Sequence, residues 1–521
     1  MKILSLTAIC WFALLSVAAG AYVGKQTGSL SGTVTDAETG EPVAFAYLNL
    51  EELNRTVTAH SDGTFELQNI PAGWHTLTAY RVGYQSVTTQ IAITPDEEKE
   101  VTIIMKATVL SSEAVEVLGQ QERTVGARLE HASKKLMGSD LRQNLGTTLA
   151  QTLDEIPGFS SRTMGSAPAR PVIRGLGGER VLLLQDGERT GDVSAQSSDH
   201  AVTVDPMAAE QVEIARGPAA LKYGSNAIGG VINVVRNQIA TSLPDHMHGT
   251  ATLQGETVNS GGSGAFEASI PVGTWSLQLD GNVRGAGDIR TPSQRLENSG
   301  ILATNDAVGL SYIRPWGYAG VAGSLYYNEY GIPPDPGGGH ENGVDIEMRK
   351  YQGEVKSELF LHHPVFRTLD LDYSYKNYFH REIEPGGEIG TEYGVLTSNV
   401  SVSLRHDSLA FFSNGTFGMW GETKNYAVNG ANTPDSDAYS FAAYIVEETD
   451  VGPLHLELGA RFDHISTIPL QEDPDSRIGF IRKRVFNGIS SSLSAIYNLD
   501  RGFYLGTVLM HSFRAPSREE L

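Results

Sequence analysis

Cysteine is all but missing: the 521-residue chain has one, Cys10, inside its first apolar stretch. With that stretch removed no thiol remains, so disulfides, thiolate metal sites and cysteine nucleophiles are excluded from the mature chain. Long hydrophobic runs are missing too. No segment after the first 25 residues stays apolar for the ~18 residues a transmembrane helix needs, which excludes a helical membrane bundle. Positive charge is short, with 39 Lys and Arg against 61 Asp and Glu; the net charge of −22 argues against a nucleic-acid partner. H-x-x-E, G-x-S-x-G and G-x-x-x-x-G-K-[ST] are all absent, so neither an enzyme nor a resident cofactor is expected. Glycine, in contrast, is plentiful: 57 residues imply many turns and close backbone approaches.

The chain opens as an export signal. Met1 and Lys2 precede an apolar run from Ile3 to Val17, and Ala19-Gly20-Ala21 supplies the small residues of a cleavage site, so residues 1–21 are read as a signal peptide. The alternative, a short buried helix, would leave Trp11 and Phe12 in need of a partner domain.

Three regions follow. Residues 29–106 carry 11 acidic and 4 basic residues, 113–238 carry 15 and 13, and 239–521 carry 35 and 20, so the acidity sits in the first and last. The first alternates in short strands (Leu30 to Thr35, Ala44 to Leu50, Arg55 to Thr58, Thr64 to Leu67, His75 to Tyr80, Ser86 to Ile93, Val101 to Met105) separated by turn residues such as Asp62-Gly63. Seven strands in so few residues predict a small β-sandwich over 29–106. Its G-T-V-T-D-x-x-T-G-E-P-V and D-G-T-F-x-L-x-x-I-P-A-G patterns resemble the regulatory-like domain found beside carboxypeptidases. Residues 107–138 read as a polar linker interrupted by Glu113-Ala-Val-Glu-Val-Leu-Gly119. That heptad suits either β-strand addition to a partner's sheet edge or a buried linker strand.

The second region, 139–238, is mixed α/β. Ser139 or Asp140 is placed to cap a helix running through Leu153 with leucines at i, i+4 spacing, and Asp205-Pro206 is a helix start. Val172 to Arg174, Arg180 to Gln185, Gln211 to Ala215 and Val231 to Val235 are predicted strands.

The third region, 239–521, has the most regular pattern. Trp275, Leu277, Leu279 and Val283 alternate with Ser276, Gln278, Asp280, Asn282 and Arg284. Leu454 to Phe462 and Leu369 to Tyr375 alternate in the same way. A face of Asp, Arg, Asn and Gln is too polar for a sandwich core but suits the filled lumen of an outer-membrane barrel. Roughly thirteen such strands are predicted between His248 and Arg514, with longer loops such as Glu329 to Ile346 and Asn425 to Asp437. Single-chain barrels close with even strand numbers, so the odd count implies that the barrel is partial.

Residues 170–187, R-P-V-I-R-G-L-G-G-E-R-V-L-L-L-Q-D-G, and 210–235, E-Q-V-E-I-A-R-G-P-A-A-L-K-Y-G-S-N-A-I-G-G-V-I-N-V-V, resemble the plug signatures of TonB-dependent outer-membrane receptors. The resemblance implies a mainly β fold: sandwich, α/β plug, and about 13 of 22 strands of an antiparallel transmembrane barrel. It implies an outer-membrane location, a lipid-embedded monomeric barrel, and a TonB-type inner-membrane energy-coupling complex as partner. The TonB box falls on Glu113, Ala114, Val115, Glu116, Val117 and Leu118. Arg174 and Arg216 match plug arginines that face barrel carboxylates in the family, a role suited to a fork that binds carboxylates bidentately.

Asp192-Val-Ser-Ala-Gln-Ser-Ser-Asp199-His200 with A-V-T-V-D-P is similar to the zinc-receptor branch, where the Asp-His pair belongs to a metal site. Asp199 and His200 are thus expected to bind a divalent metal, which without thiolates takes N and O ligands. His340, Glu341, His380, Glu382 and Glu384 are the further ligands that the barrel region offers. The expected function is active uptake of a divalent metal, zinc first. Uptake of a metal chelate such as a siderophore, of cobalamin or of an oligosaccharide, or a non-transporting surface receptor, is the alternative. His246-x-His248 shares a strand face, but reads as a solvated strand end.

Overall fold

The computed structural model describes residues 27–106, 134–216, 220–335, 341–361 and 363–520, apart from 38, 45, 51–52, 54, 82–83, 85–86, 225, 245, 432, 475, 477–478 and 500–502. The expected signal peptide and the expected TonB box lie outside the described residues.

The first domain follows its alternation. Thr27–Asp36 buries every second residue, the pattern of a strand with one face on a core. It pairs antiparallel with Thr64–Pro71 and parallel with Glu98–Met105. Opposite lies a four-stranded sheet in the order Arg55–Thr58, Tyr47–Leu50, Gly73–Tyr80, Val87–Ile93. Leu30, Leu48, Ile70, Leu77, Ile93 and Met105, all at 0% exposure, meet in the core cluster between them. Each such side chain contributes about 1.5–3 kcal/mol by leaving water. The Asp62-Gly63 turn needs its glycine: φ is 77°, and a Cβ there would lie 2.6 Å from the Val34 carbonyl oxygen. The sandwich touches the barrel through Trp74, whose Nε1 donates to the Pro315 carbonyl at 2.7 Å and whose ring lies 4.2 Å from that of Phe360.

The plug is built on a five-stranded sheet in the order Glu188–Arg189, Val181–Gln185, Gly230–Val235, Gln211–Ala215, Lys134–Met137. Its central strands are buried on both faces, which is why they read as continuous apolar runs rather than alternating ones. Two sequence expectations change here. Lys134–Met137, assigned to the linker, is the edge strand of this sheet and pairs with Gln211–Ala215. The single helix from Ser139 or Asp140 to Leu153 is two, Gly138–Asn144 and Leu149–Leu153. The first has Met137 at its N-cap with no side-chain cap. Thr148 caps the second by accepting from Gln151 N at 3.2 Å, so Gly146-Thr147-Thr148 supplies a turn in place of a helical turn. Asp205 does cap a short 3-10 turn, accepting from Met207 N at 2.9 Å with Pro206 after it.

Thirteen antiparallel strands, from His248–Glu256 to Phe503–His511, pair each with the next in one sheet. This is the predicted number. The sheet is inside out relative to a soluble protein. On Phe366–Ile383 the apolar Leu371, Tyr373 and Tyr375 are 39–45% exposed, while Ser374, Lys376, Tyr378 and His380 are at 0–1% against the plug. The expected loops are shorter than Glu329 to Ile346 and Asn425 to Asp437. Gly317–Ile332 and Val344–Phe360 continue to 332 and from 344, and Asn414–Asn429 and Ser436–Val451 continue to 429 and from 436, because pairing runs beyond the apolar band. Turns as short as 315–316 and 452–453 lie at one end of the barrel, and longer connections such as 287–300 and 470–483 at the other. Short turns mark the periplasmic end and long loops the extracellular end of outer-membrane barrels. Trp275, Tyr312 and Trp316 form an aromatic row at the short-turn end, with ring centroids 4.9 and 6.2 Å apart.

Candidate metal centre

The plug reaches the long-loop end through the segment Asp192 to Thr203. Asp192 pins both ends of it. Its carboxylate accepts from Ser194 N at 3.1 Å and from Thr203 N and Oγ1 at 3.0 and 2.9 Å. Burial works against its charge, but the bonds from Ser194 and Thr203 and the nearby Lys350 and Arg170 outweigh it, so its pKa lies below the usual Asp value.

His200 sits near the tip of this loop, 3% exposed, facing the inner wall of Phe366–Ile383. On that strand the period of two carries His380 and Glu382 to the same face. Glu382 Oε1 lies 3.3 Å from His200 Nε2 and 3.6 Å from His380 Nε2. One ligand atom from each of the three residues falls within 4.8 Å of the other two, a spacing that can hold a metal ion. The imidazoles meet edge to face at 4.5 Å, and both pack against the Tyr393 ring, at 5.5 and 5.2 Å.

The outer partners orient both rings. His200 Nδ1 is 3.3 Å from the Val193 carbonyl, which can only accept, so Nδ1 carries a proton; Nε2 faces Glu382, to which it donates when the ring is charged and from which a metal ion would displace the proton. His380 Nδ1 is 2.9 Å from the Tyr378 hydroxyl, whose own proton has Met348 Sδ at 3.6 Å as acceptor. With that arrangement His380 Nε2, which is buried and has no hydrogen-bond partner, presents a lone pair. Metal-bound histidines are held in this way, by a second hydrogen bond on the far nitrogen. Burial opposes the charged form of His200, but the bond to Glu382 and the charges of Asp199 and Glu382 prevail, and its pKa is raised.

The other expected residues have different places. Asp199 is buried beside His200 but turns its carboxylate to the Ser197 hydroxyl, outside the cluster of three. Glu384 and Glu341 are exposed in turns, and His340 lies outside the described residues. His246 and His248 are exposed, with His248 Nδ1 3.1 Å from the His246 carbonyl. Arg174 occupies the left-handed region (φ 48°) in its turn, and the Arg216 guanidinium lies 5.2 Å from the Phe159 ring centroid. Among the described residues neither makes an ion pair with a barrel carboxylate. Other arginines bridge plug and barrel. Arg236 pairs with Asp280 and bonds Asn305 at 2.6 Å. Arg461, 2% exposed, binds Asp463 through Nε at 2.9 and 3.0 Å and reaches the Lys222 carbonyl at 3.0 Å. Barrel lysines do the same: Lys376 Nζ is 3.6 Å from Glu188, and Lys350 Nζ donates to the Thr203 carbonyl at 3.2 Å.

Tyr330, Tyr378, Tyr393 and Met348 escaped the sequence reading. Alternation alone would have put Tyr378 on the face of His380. Tyr330 and Met348 fell at the margins of a stretch taken for loop.

Residues 248–521 match the family "TonB dependent receptor-like, beta-barrel", residues 131–231 "TonB-dependent Receptor Plug Domain", and residues 30–117 "CarboxypepD_reg-like domain". The chain belongs to the TonB-dependent receptors. Its sheet of thirteen strands is therefore that of an outer-membrane barrel. A "Hemin receptor" of Yersinia pestis is 27% identical over 296 residues, which cover 46% of this receptor and 43% of that protein. The "Ferric enterobactin receptor" of Pseudomonas aeruginosa is 25% identical over 198 residues, covering 32% and 26%. Among solved structures, "Copper transporter OprC" superposes with a TM-score of 0.62 at 15% identity, covering 72% of this receptor and 61% of that chain. The siderophore receptor PirA from Pseudomonas aeruginosa superposes with a TM-score of 0.54 at 19% identity, covering 74% and 62%. At such identities the superpositions establish the fold. The chain spans less than half the length of these two curated relatives.

Proposed function

We propose that this receptor takes up a divalent metal ion, zinc first, across the outer membrane. The observation that carries the reading is the His200–His380–Glu382 triangle, with two imidazole Nε2 atoms and a carboxylate converging at the extracellular end of the plug. Two imidazoles and a carboxylate are a set that Zn²⁺ accepts, with a remaining position for water or a further ligand. Met348 sulfur lies toward the Nδ1 side of His380, where it is an acceptor for Tyr378 and not aimed at the ion. The donors that converge are therefore nitrogen and oxygen, which favours zinc over a soft Cu(I) ion.

The site needs both parts of the molecule, since His200 comes from the plug and the other two from the barrel. An ion bound there ties the apical loop to the wall. The energy for its release comes, in this reading, from a TonB-type inner-membrane partner pairing with Glu113 to Gly119. Tension on that segment reaches Lys134–Met137 first. As a four-residue edge strand held by one neighbour, it can detach without breaking the pairing of the central strands.

Uptake of a chelate is the second reading, and the haemin and enterobactin relatives give it weight. Against it stands the burial of both imidazoles: His380 at 0% and His200 at 3% exposure offer no ring face to a macrocycle. Zinc titration of the purified full-length receptor, beside His200→Ala and His380→Ala, decides between them. Saturable zinc binding that both variants lose supports the proposal. Equal binding in all three, or haemin binding with none for zinc, refutes it.

A further inference from the structure

Among the described residues Tyr330 is the one barrel side chain that bonds the backbone on both sides of His200. It ends the inward row of Gly317–Ile332 at 2% exposure. Its hydroxyl accepts from Ala201 N at 3.0 Å and donates to the Asp199 carbonyl at 2.9 Å. That carbonyl belongs to the peptide group before His200, and that N–H to the peptide group after it. Peptide groups are rigid planes, and the only soft backbone rotations of a residue lie between the two that flank it. A hydroxyl bonded to both planes therefore holds φ and ψ of His200, and with them the direction in which its imidazole leaves the loop.

We infer that Tyr330 is a positioning residue for the metal centre, aligning His200 Nε2 with His380 and Glu382 without itself binding the ion. The inference rests on the metal-binding reading above. Tyr330 stands outside the metal ligands because its hydroxyl is already committed at both ends. It has one proton, given to Asp199, and Met348 Sδ at 3.7 Å is the weaker alternative acceptor. The same sulfur lies 3.6 Å from the Tyr378 hydroxyl that orients His380, so Met348 packs between the two tyrosines that set the two histidines. Tyr326, four residues back on the same face, touches the loop farther along, its hydroxyl 3.4 Å from the Val202 carbonyl. That bond spans no rotation of His200, which makes Tyr326 the natural control.

The test uses purified full-length receptor, with Zn²⁺ affinity measured by competition and Co²⁺ as a spectroscopic probe of ligand geometry. Tyr330→Phe keeps the ring and removes the hydroxyl. Loss of an outer partner of a metal ligand weakens binding by roughly 10–100-fold, and that loss is expected here together with a changed cobalt d–d spectrum. Tyr326→Phe is expected to stay within about twofold of wild type with the wild-type spectrum, since its bond lies outside the positioning pair. Wild-type affinity in Tyr330→Phe overturns the inference. So does weakened affinity with an unaltered cobalt spectrum, which would mark a general loosening of the loop. If the wild-type receptor binds neither ion, the metal reading itself falls and this inference with it, an outcome distinct from the other two.

Discussion

The metal centre turns on which residues of a motif end up aimed at one another. Asp199 and His200 are adjacent in sequence, yet only His200 joins the cluster; Asp199 supplies charge beside it and a carbonyl to Tyr330. His380 and Glu382 join because i and i+2 share a strand face, while Glu384 falls past the last residue of the strand and is exposed. The expected outcome of single substitutions follows this division. His380→Ala should abolish high-affinity zinc binding, and Glu384→Ala should leave it unchanged in the same calorimetric titration. Glu382→Gln keeps the shape and removes the charge. It should weaken zinc binding and leave the His200 ring without the carboxylate that bonds its Nε2, which histidine NMR would register as a lower His200 pKa.

Among elements, the apical loop and the wall strands carry the consequences. Asp192 closes the loop with bonds to Ser194 and Thr203, and hydrogen bonds to a charged group contribute about 1.5–3 kcal/mol each. Asp192→Asn should therefore raise amide hydrogen exchange at Ser194 and Thr203. The pH dependence follows from the lowered pKa of Asp192. Its stabilising effect is complete above the ordinary Asp value near 3.8 and is lost as pH falls through the lower folded value. After correction for intrinsic exchange rates, wild-type loop protection should thus persist down to about pH 4 and disappear below it, whereas protection in Asp192→Asn should not vary over that range. At the opposite end of the barrel the Trp74 contact is a separate element. Trp74→Ala removes both its hydrogen bond to Pro315 and its ring contact with Phe360, and should free the sandwich to move against the barrel without altering zinc affinity. Cross-linking between cysteines placed beside the contact, with positions 74 and 360 left as they are in each protein compared, measures this.

At the level of the whole molecule, binding and transport should separate. Deletion of Glu113 to Gly119 leaves plug and barrel ligands in place, so surface zinc binding should survive while cellular uptake of labelled zinc stops. Uptake that continued after the deletion would remove the energy-coupling proposal. The plug is also fixed in the barrel through Arg461, which its strand neighbour Asp463 holds and which donates to the Lys222 carbonyl of the plug. Breaking one partner of a buried pair costs about 3–5 kcal/mol, so Asp463→Ala should lower the resistance of the plug to urea. These contacts were not legible in the chain. Arg461 lay within a correctly predicted strand and on its polar face, but no local pattern could show which plug carbonyl it would meet.

Sequence alone determined the architecture, because it depends on periodicity and local chemistry. A period of two with one polar face sets the thirteen barrel strands and their inward residues, and Asp205-Pro206 and Asp62-Gly63 set turns within a few residues of chain. It also narrowed the candidate ligands to His and carboxylate, since the one cysteine is Cys10. What only the tertiary structure decided is which of those candidates meet. His200 and Glu382 are separated by 182 positions yet lie 3.3 Å apart, through a plug loop inserted against a barrel wall. Tyr330 matters for the same reason: its partners are the peptide groups of a distant loop, and backbone groups leave no mark in a sequence.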